Sequence, residues 1–169
     1  MYQPDFVVVD FSVNDVDNIY CEETFEGVLR TLLCWSSRPA VVVLNNVFYD
    51  TGVSTQDIHN RLADHYGVPH VSVHDTIYRR MKAGEYNRID ITPDGLHPND
   101  KGHGLVAGEI TKFLERIMDD LIQDENLAGD SNTDTADAGA DTENDIQDES
   151  ACSCVLPTPV TANAYEYAK

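Results

Sequence analysis

An aspartate three residues ahead of a histidine opens a turn-rich segment, Asp94-Gly95-Leu96-His97-Pro98. At that spacing the carboxylate can accept the imidazole Nδ1–H and fix the tautomer, leaving Nε2 to take a proton from a nucleophile. Pro98 biases His97 toward extended backbone and keeps it out of the helical pattern that follows. By itself an Asp-x-x-His pair is more often a loop with one hydrogen bond, so its weight rests on a second segment. Phe6-Val7-Val8-Val9-Asp10-Phe11 reads as a buried parallel strand and runs into Ser12-Val13-Asn14-Asp15. Asn14 therefore sits just beyond a strand's carboxyl end, where ligands bind in open α/β sheets. Its side-chain NH2 suits a developing oxyanion, and the bland alternative is an Asx turn.

Together these segments resemble the SGNH (GDSL-type) hydrolases, a family of esterases and acylhydrolases. Val9 to Asp15 is similar to the family's third block, usually Gly-x-Asn-Asp. Asp94 to His97 with Pro98 is similar to its fifth, and Asn99 to Ala107 to its closing helix. The resemblance implies that Asn14 is an oxyanion-hole donor, Asp94 the orienting acid and His97 the general base. Two departures stand out. Ser12 occupies the usual Gly position, and no Gly-Asp-Ser nucleophile block or second-block Gly occurs in the chain. Ser12, Ser36, Ser37, Ser54 and Ser72 offer no credible substitute, so no nucleophile is assigned.

The resemblance also implies a three-layer α/β/α parallel sheet of flavodoxin-like type with strand order 2-1-3-4-5. Here it is incomplete, with strands 3 to 5 and the closing helix present. The expectation is a partial hydrolase domain over residues 1–123, truncated at its amino end. Phe6–Phe11 would then be an apolar edge open to self-association. The activity implied is hydrolysis of acyl or acetyl esters, carbohydrate esters among them, by Ser-His-Asp chemistry whose serine lies elsewhere. The alternative is a non-catalytic remnant that binds a ligand or partner through the same cleft.

The residues between the two segments alternate between strand and helix patterns. Glu22–Trp35 carries Phe25, Val28, Leu29, Leu32 and Leu33 at helical spacing, and Ala40–Leu44 reads as a second buried strand. Asn45 and Asn46 follow at its carboxyl end as candidate substrate contacts. Thr55–Tyr66 reads as a helix with Ser54 or Thr55 as N-cap and Gly67 as its stop, and Val68–Val73 as a third strand. Ala83–Pro93 reads as a polar excursion. A helix from Asp100 to Ile122 should bury Leu105, Val106, Ile110, Phe113, Leu114, Ile117, Met118 and Leu121. This order implies right-handed crossovers.

Charge and cysteine usage bound the rest. The 169 residues carry a net charge of −19, and Asp124–Lys169 holds 11 acids and 1 base. Residues 124–150 read as a disordered acidic linker, and 151–169 as a tail approaching a further domain. Arg79, Arg80, Lys82 and Arg88 are interspersed with acids, so a solvated face is expected and no nucleic-acid surface. No apolar run reaches the roughly 18 to 20 residues of a membrane span, and no leader follows Met1. Cys21 and Cys34 lie about 20 Å apart along a helix, beyond disulfide reach. Cys152 and Cys154 read as tail thiols, which points toward a cytoplasmic, reducing compartment. No cofactor or metal is expected. His70 and His74 lie roughly 13 Å apart on a strand, His59 and His65 lie on nearly opposite helix faces, and no phosphate-binding Gly-rich loop occurs.

Overall fold

The computed structural model of the chain describes residues 3–129 and 154–161. The three apolar runs form a parallel sheet in chain order, with β1 (Phe6–Phe11) beside β2 (Ala40–Asn45) and β2 beside β3 (His70–Ser72). Val7 pairs with Val41, Val9 with Val43, and Val43 with His70. Helices α1 (Ile19–Leu33) and α2 (Gln56–His65) connect the strands, giving the α/β fold. Strand alternation sends Val9, Val41 and Val43 to one face. There Phe25, Leu29 and Leu32 of α1 and Ile58, Leu62 and Ala63 of α2 complete the core. Val42 and Leu44 are buried on the opposite face, so β2 is covered on both sides, as its unbroken apolar run demands. β1 is an edge, and its Phe6, Val8 and Phe11 are exposed.

Local chemistry sets the helix ends. Asn18 starts α1 earlier than periodicity suggests, because its side chain accepts the Cys21 N–H at 3.0 Å. Ser54 Oγ accepts the Gln56 N–H at 3.3 Å, whereas Thr55 Oγ1 donates across the fold to the Ser12 carbonyl at 3.0 Å. Gly67, at φ +65°, ends α2 as expected.

Three expectations are corrected. The segment before the Asp94 loop is more helical than its sequence suggests. A π turn at His74–Tyr78 runs into α3 (Arg79–Lys82), and α4 (Arg88–Ile91) interrupts the polar excursion. Elements of four or five residues are too short to show a period. Within them Arg79 pairs with Asp75, Arg80 with Glu85 and Glu109, and Arg88 with Asp50.

Second, α5 spans Asp100–Gly129, running into the stretch read as a linker. Of the eight side chains expected to be buried only Val106 is, while Ile117, Met118 and Leu121 are exposed. A periodic stripe says which side chains share a face, not that another element covers it.

Third, Cys34 is not an unpaired thiol. It forms a disulfide with Cys154, with Cα atoms 5.5 Å apart across a sequence separation of 120. Cys21 is free. Disulfides persist in oxidising compartments, so the cytoplasmic expectation loses its cysteine argument.

The chain divides into two compact units, Met1–Thr111 with Cys154–Lys169, and Lys112–Ser153. In the first unit the 154–161 segment lies on α1. Buried Glu26 accepts the N–H groups of Val160 and Thr161 at 2.6 and 2.7 Å, the Thr161 hydroxyl at 2.5 Å and the Tyr66 hydroxyl at 2.5 Å. Arg30 donates to Tyr66 Oη and to the Pro157 carbonyl. Most of the acidic stretch, Cys152 and residues 163–167 lie outside the described residues.

Candidate active site

The Asp94 loop is held by its own hydrogen bonds. Asp94 Oδ1 accepts the backbone N–H groups of Leu96 and His97 at 2.9 and 2.8 Å, and Oδ2 accepts from His97 Nδ1 at 2.7 Å. One carboxylate thus shapes the turn and orients the imidazole. The His97 side-chain bond, then the two backbone N–H groups, hold the Asp94 carboxyl well below the usual carboxylate range. Gly95, at φ +82°, packs directly on Asp50, and its carbonyl accepts the Tyr49 N–H at 2.8 Å. The loop is thereby tied to the segment that leaves β2. Behind it Asn99 caps α5 by accepting the Gly102 N–H at 3.0 Å.

The Asn14 loop sits at the carboxyl ends of β1 and β2. Ser12 lies at φ +88° and is buried, a backbone state that glycine adopts freely and serine rarely. Its hydroxyl donates to the Asn46 carbonyl at 2.8 Å, and its N–H donates to Asp15 Oδ2 at 3.1 Å. Asn14 itself is exposed and, among the described residues, has no hydrogen-bond partner for its side chain. A cavity of about 400 Å³ is lined by Asp10, Asn14, Asn46, Leu96 and His97, with Phe11, Val13, Asp15 and Pro98. Asn14 and His97 therefore face one space, although 83 positions separate them in the sequence.

Of the other candidates, Asn46 lines this cavity and donates to Asp10 Oδ1 at 2.5 Å. Burial pushes the Asp10 carboxyl up, opposed by that bond and by the nearby His103. Asn45 is turned away from the cavity. It is fully buried and bonded to Asn60 and His59, because strand alternation gives neighbouring residues opposite faces. Ser12 and Ser54 both donate to the Asn46 carbonyl, and Ser72 donates to Gln56. Ser36 and Ser37 precede β2, at the other end of the sheet.

Sequence reasoning missed Asp10 and Asp15. Asp10 was absorbed into an apolar strand pattern, where an acid at the last-but-one position was the available signal. Asp15 Oδ2 lies 3.3 Å from His59 Nε2, and Cys21 Sγ lies 3.7 Å from the same nitrogen. Burial lowers the His59 pKa against the pull of Asp15. Burial, then Asp15, Asp17 and Glu22, pushes the Cys21 thiol up to about 11.

No known family's sequence pattern matches the chain, and neither does any curated protein. Solved structures do match, two esterases among them. One is a two-domain esterase active on acetylated mannans, 39% identical, covering 95% of this chain and 36% of the other, at a TM-score of 0.72. The second is a two-domain esterase active on acetylated mannans, co-crystallised with mannopentaose. It is 47% identical over 68% of this chain and 31% of that one, at a TM-score of 0.67. The chain spans about a third of the length of the esterases it matches.

Proposed function

We propose that this chain forms the histidine-bearing part of an SGNH-type hydrolase of carbohydrate esters, acetylated mannan being the substrate class. The carrying observation is the His97–Asp94 pair beside Asn14 at one cavity. The likeness to acetylated-mannan esterases supports it. In this reading a serine from outside the 169 residues attacks the acetyl carbonyl while His97 Nε2 takes its proton. Asp94 holds Nδ1–H and stabilises the imidazolium, and Asn14 Nδ2–H donates to the oxyanion. His97 then returns the proton to the departing sugar hydroxyl, and water releases acetate by the same route. Asn46 stands at the cavity wall as a sugar contact.

The test is acetate release from acetylated mannan by the chain alone and by the chain co-expressed with an amino-terminal segment bearing a Gly-Asp-Ser block. The expected result is no release above a His97→Ala control for the chain alone, and turnover in the completed protein. Turnover in the completed protein that survives His97→Ala would overturn the reading.

A further inference from the structure

We propose that Asp15, Cys21 and His59 form a binding site for a borderline-soft divalent cation of the zinc class. Their ligand atoms all lie within 4.8 Å of one another. Asp15 follows β1, Cys21 lies in the first turn of α1, and His59 lies in α2, so the fold alone unites them.

The hydrogen bonds behind His59 decide its role. The Asn45 amide donates its NH2 to Asn60 Oδ1 at 2.7 Å, which turns its oxygen toward His59 Nδ1 at 3.2 Å. An oxygen acceptor there assigns the proton to Nδ1 and leaves Nε2 as the atom that can ligate. Nε2 then presents a lone pair, fully buried, toward a carboxylate oxygen and a sulfur. Something positive belongs between that nitrogen and the carboxylate, either a proton or a cation, and the Cys21 sulfur beside the same nitrogen suits the cation. An imidazole ligand with its other nitrogen fixed by an amide oxygen is the outer-shell arrangement of metal-binding histidines. Phe25 stacks on the ring with centroids 3.9 Å apart and holds its plane.

The two spacings from His59 Nε2 fit a cation, and the Asp15 and Cys21 ligand atoms lie within 4.8 Å of each other. Zinc bonds of about 2.0 to 2.1 Å to N and O and about 2.3 Å to S, at tetrahedral angles, put N and O about 3.4 Å apart and N and S about 3.6 Å apart. The structure has 3.3 and 3.7 Å. A thiolate with an imidazole and a carboxylate selects zinc-like ions over magnesium or calcium. Asp15 and Cys21 also border a cavity of about 120 Å³, with room for a fourth, non-protein ligand. On binding, the Cys21 thiol releases its proton to solvent and becomes the Sγ–metal bond. Asp15 Oδ2 keeps the Ser12 N–H as its second partner, so an ion here would brace the Ser12–Asp15 turn.

The site does not depend on the ester-hydrolysis reading and is tested without any substrate. Cobalt(II) is titrated into the full chain carrying Cys152→Ser, without reductant, so that Cys21 is the remaining thiol. One equivalent should bind with a thiolate-to-cobalt charge-transfer band and tetrahedral visible bands, and Zn(II) should displace it. Cys21→Ser, a near-isosteric change at a half-buried position, should abolish the charge-transfer band while circular dichroism stays unchanged. Asp15→Asn should weaken binding at least about tenfold, and Asn45→Ala about 10- to 100-fold. Absence of cobalt binding, a charge-transfer band that persists in Cys21→Ser, or equal affinity in Asp15→Asn would each overturn the proposal.

Discussion

His97 and Asp94 are 75% and 51% exposed in their side chains, yet their geometry is set by hydrogen bonds and not by packing. The Asp-x-x-His spacing permits this arrangement without imposing it, because a carboxylate that accepts the i+2 and i+3 backbone N–H groups also reaches the i+3 side chain. That is why the pair was legible in the sequence. Asn14 was legible for a similar reason, since a polar residue just past an apolar strand has a fixed address. Asn45 and Asn46 could not be separated, because only the strand's facing decides which of two neighbours meets the cavity. In the serine-completed protein Asn14→Ala should lower kcat by about 10² to 10³, the usual cost of one oxyanion donor, with KM little changed. Asp94→Asn should cost more, about 10⁴, because the imidazole loses its orienting acceptor and its correct tautomer. Steady-state kinetics on acetylated mannan distinguishes these from a folding defect, which thermal melts would reveal. Loss of activity in Asn45→Ala without loss of fold would show that the inward-facing asparagine was wrongly set aside.

At the scale of elements, the two clasps that position the site and the domain surface are contacts no period announces. Gly102 lies against the Ile91 carbonyl so closely that a Cβ cannot fit between α5 and the end of α4. Gly102→Ala should therefore displace the start of α5, which follows His97-Pro98 after the Asn99 cap, at a cost of about 1 to 3 kcal/mol in chemical denaturation. The second clasp is Glu26. Burial pushes its carboxyl up, but the bonds from Thr161, Tyr66 and the Val160 backbone outweigh burial and hold its pKa below the ordinary 4.5. A depressed folded pKa means that its contribution is complete above about pH 4.5 and is lost as pH falls through the lower folded value. Hydrogen exchange at the Val160 and Thr161 amides should show protection at neutral pH and its loss on acidification. Glu26→Gln should reproduce that loss at neutral pH, costing about 2 kcal/mol for charge-assisted bonds made neutral. Glu26 lies one turn before Arg30 on α1, and the helical period did not single either of them out. The partners of Glu26 lie 40 residues away at Tyr66 and 134 to 135 residues away at Val160 and Thr161, and could not be read.

Over the whole molecule, three apolar runs and two amphipathic helices were enough to read a parallel α/β sheet, because the unbroken run of β2 needs cover on both faces, whereas β1 carries the same pattern with only Val9 buried. The Cys34–Cys154 bond was not readable, since it joins residues whose spacing says nothing about proximity. The same sheet leaves β1 as an edge, with Phe6, Val8 and Phe11 exposed and its outer N–H and C=O groups unpaired among the described residues. Such an edge templates pairing with another strand, and a second copy of β1 is the nearest one in a purified sample. Against this stands a net charge of −19, which keeps copies apart at low ionic strength. Salt shortens the screening length from about 30 Å at 0.01 M to about 8 Å at 0.15 M, so the repulsion fades while the strand contact does not. Sedimentation velocity should therefore show a monomer at low salt that associates as salt and concentration rise. Val8→Lys, which sets a charge on the exposed edge without touching the cavity, should keep the chain monomeric throughout. Association that proceeds equally in Val8→Lys would place the contact on another surface, with the exposed Ile117, Met118 and Leu121 stripe of α5 as the next to mutate.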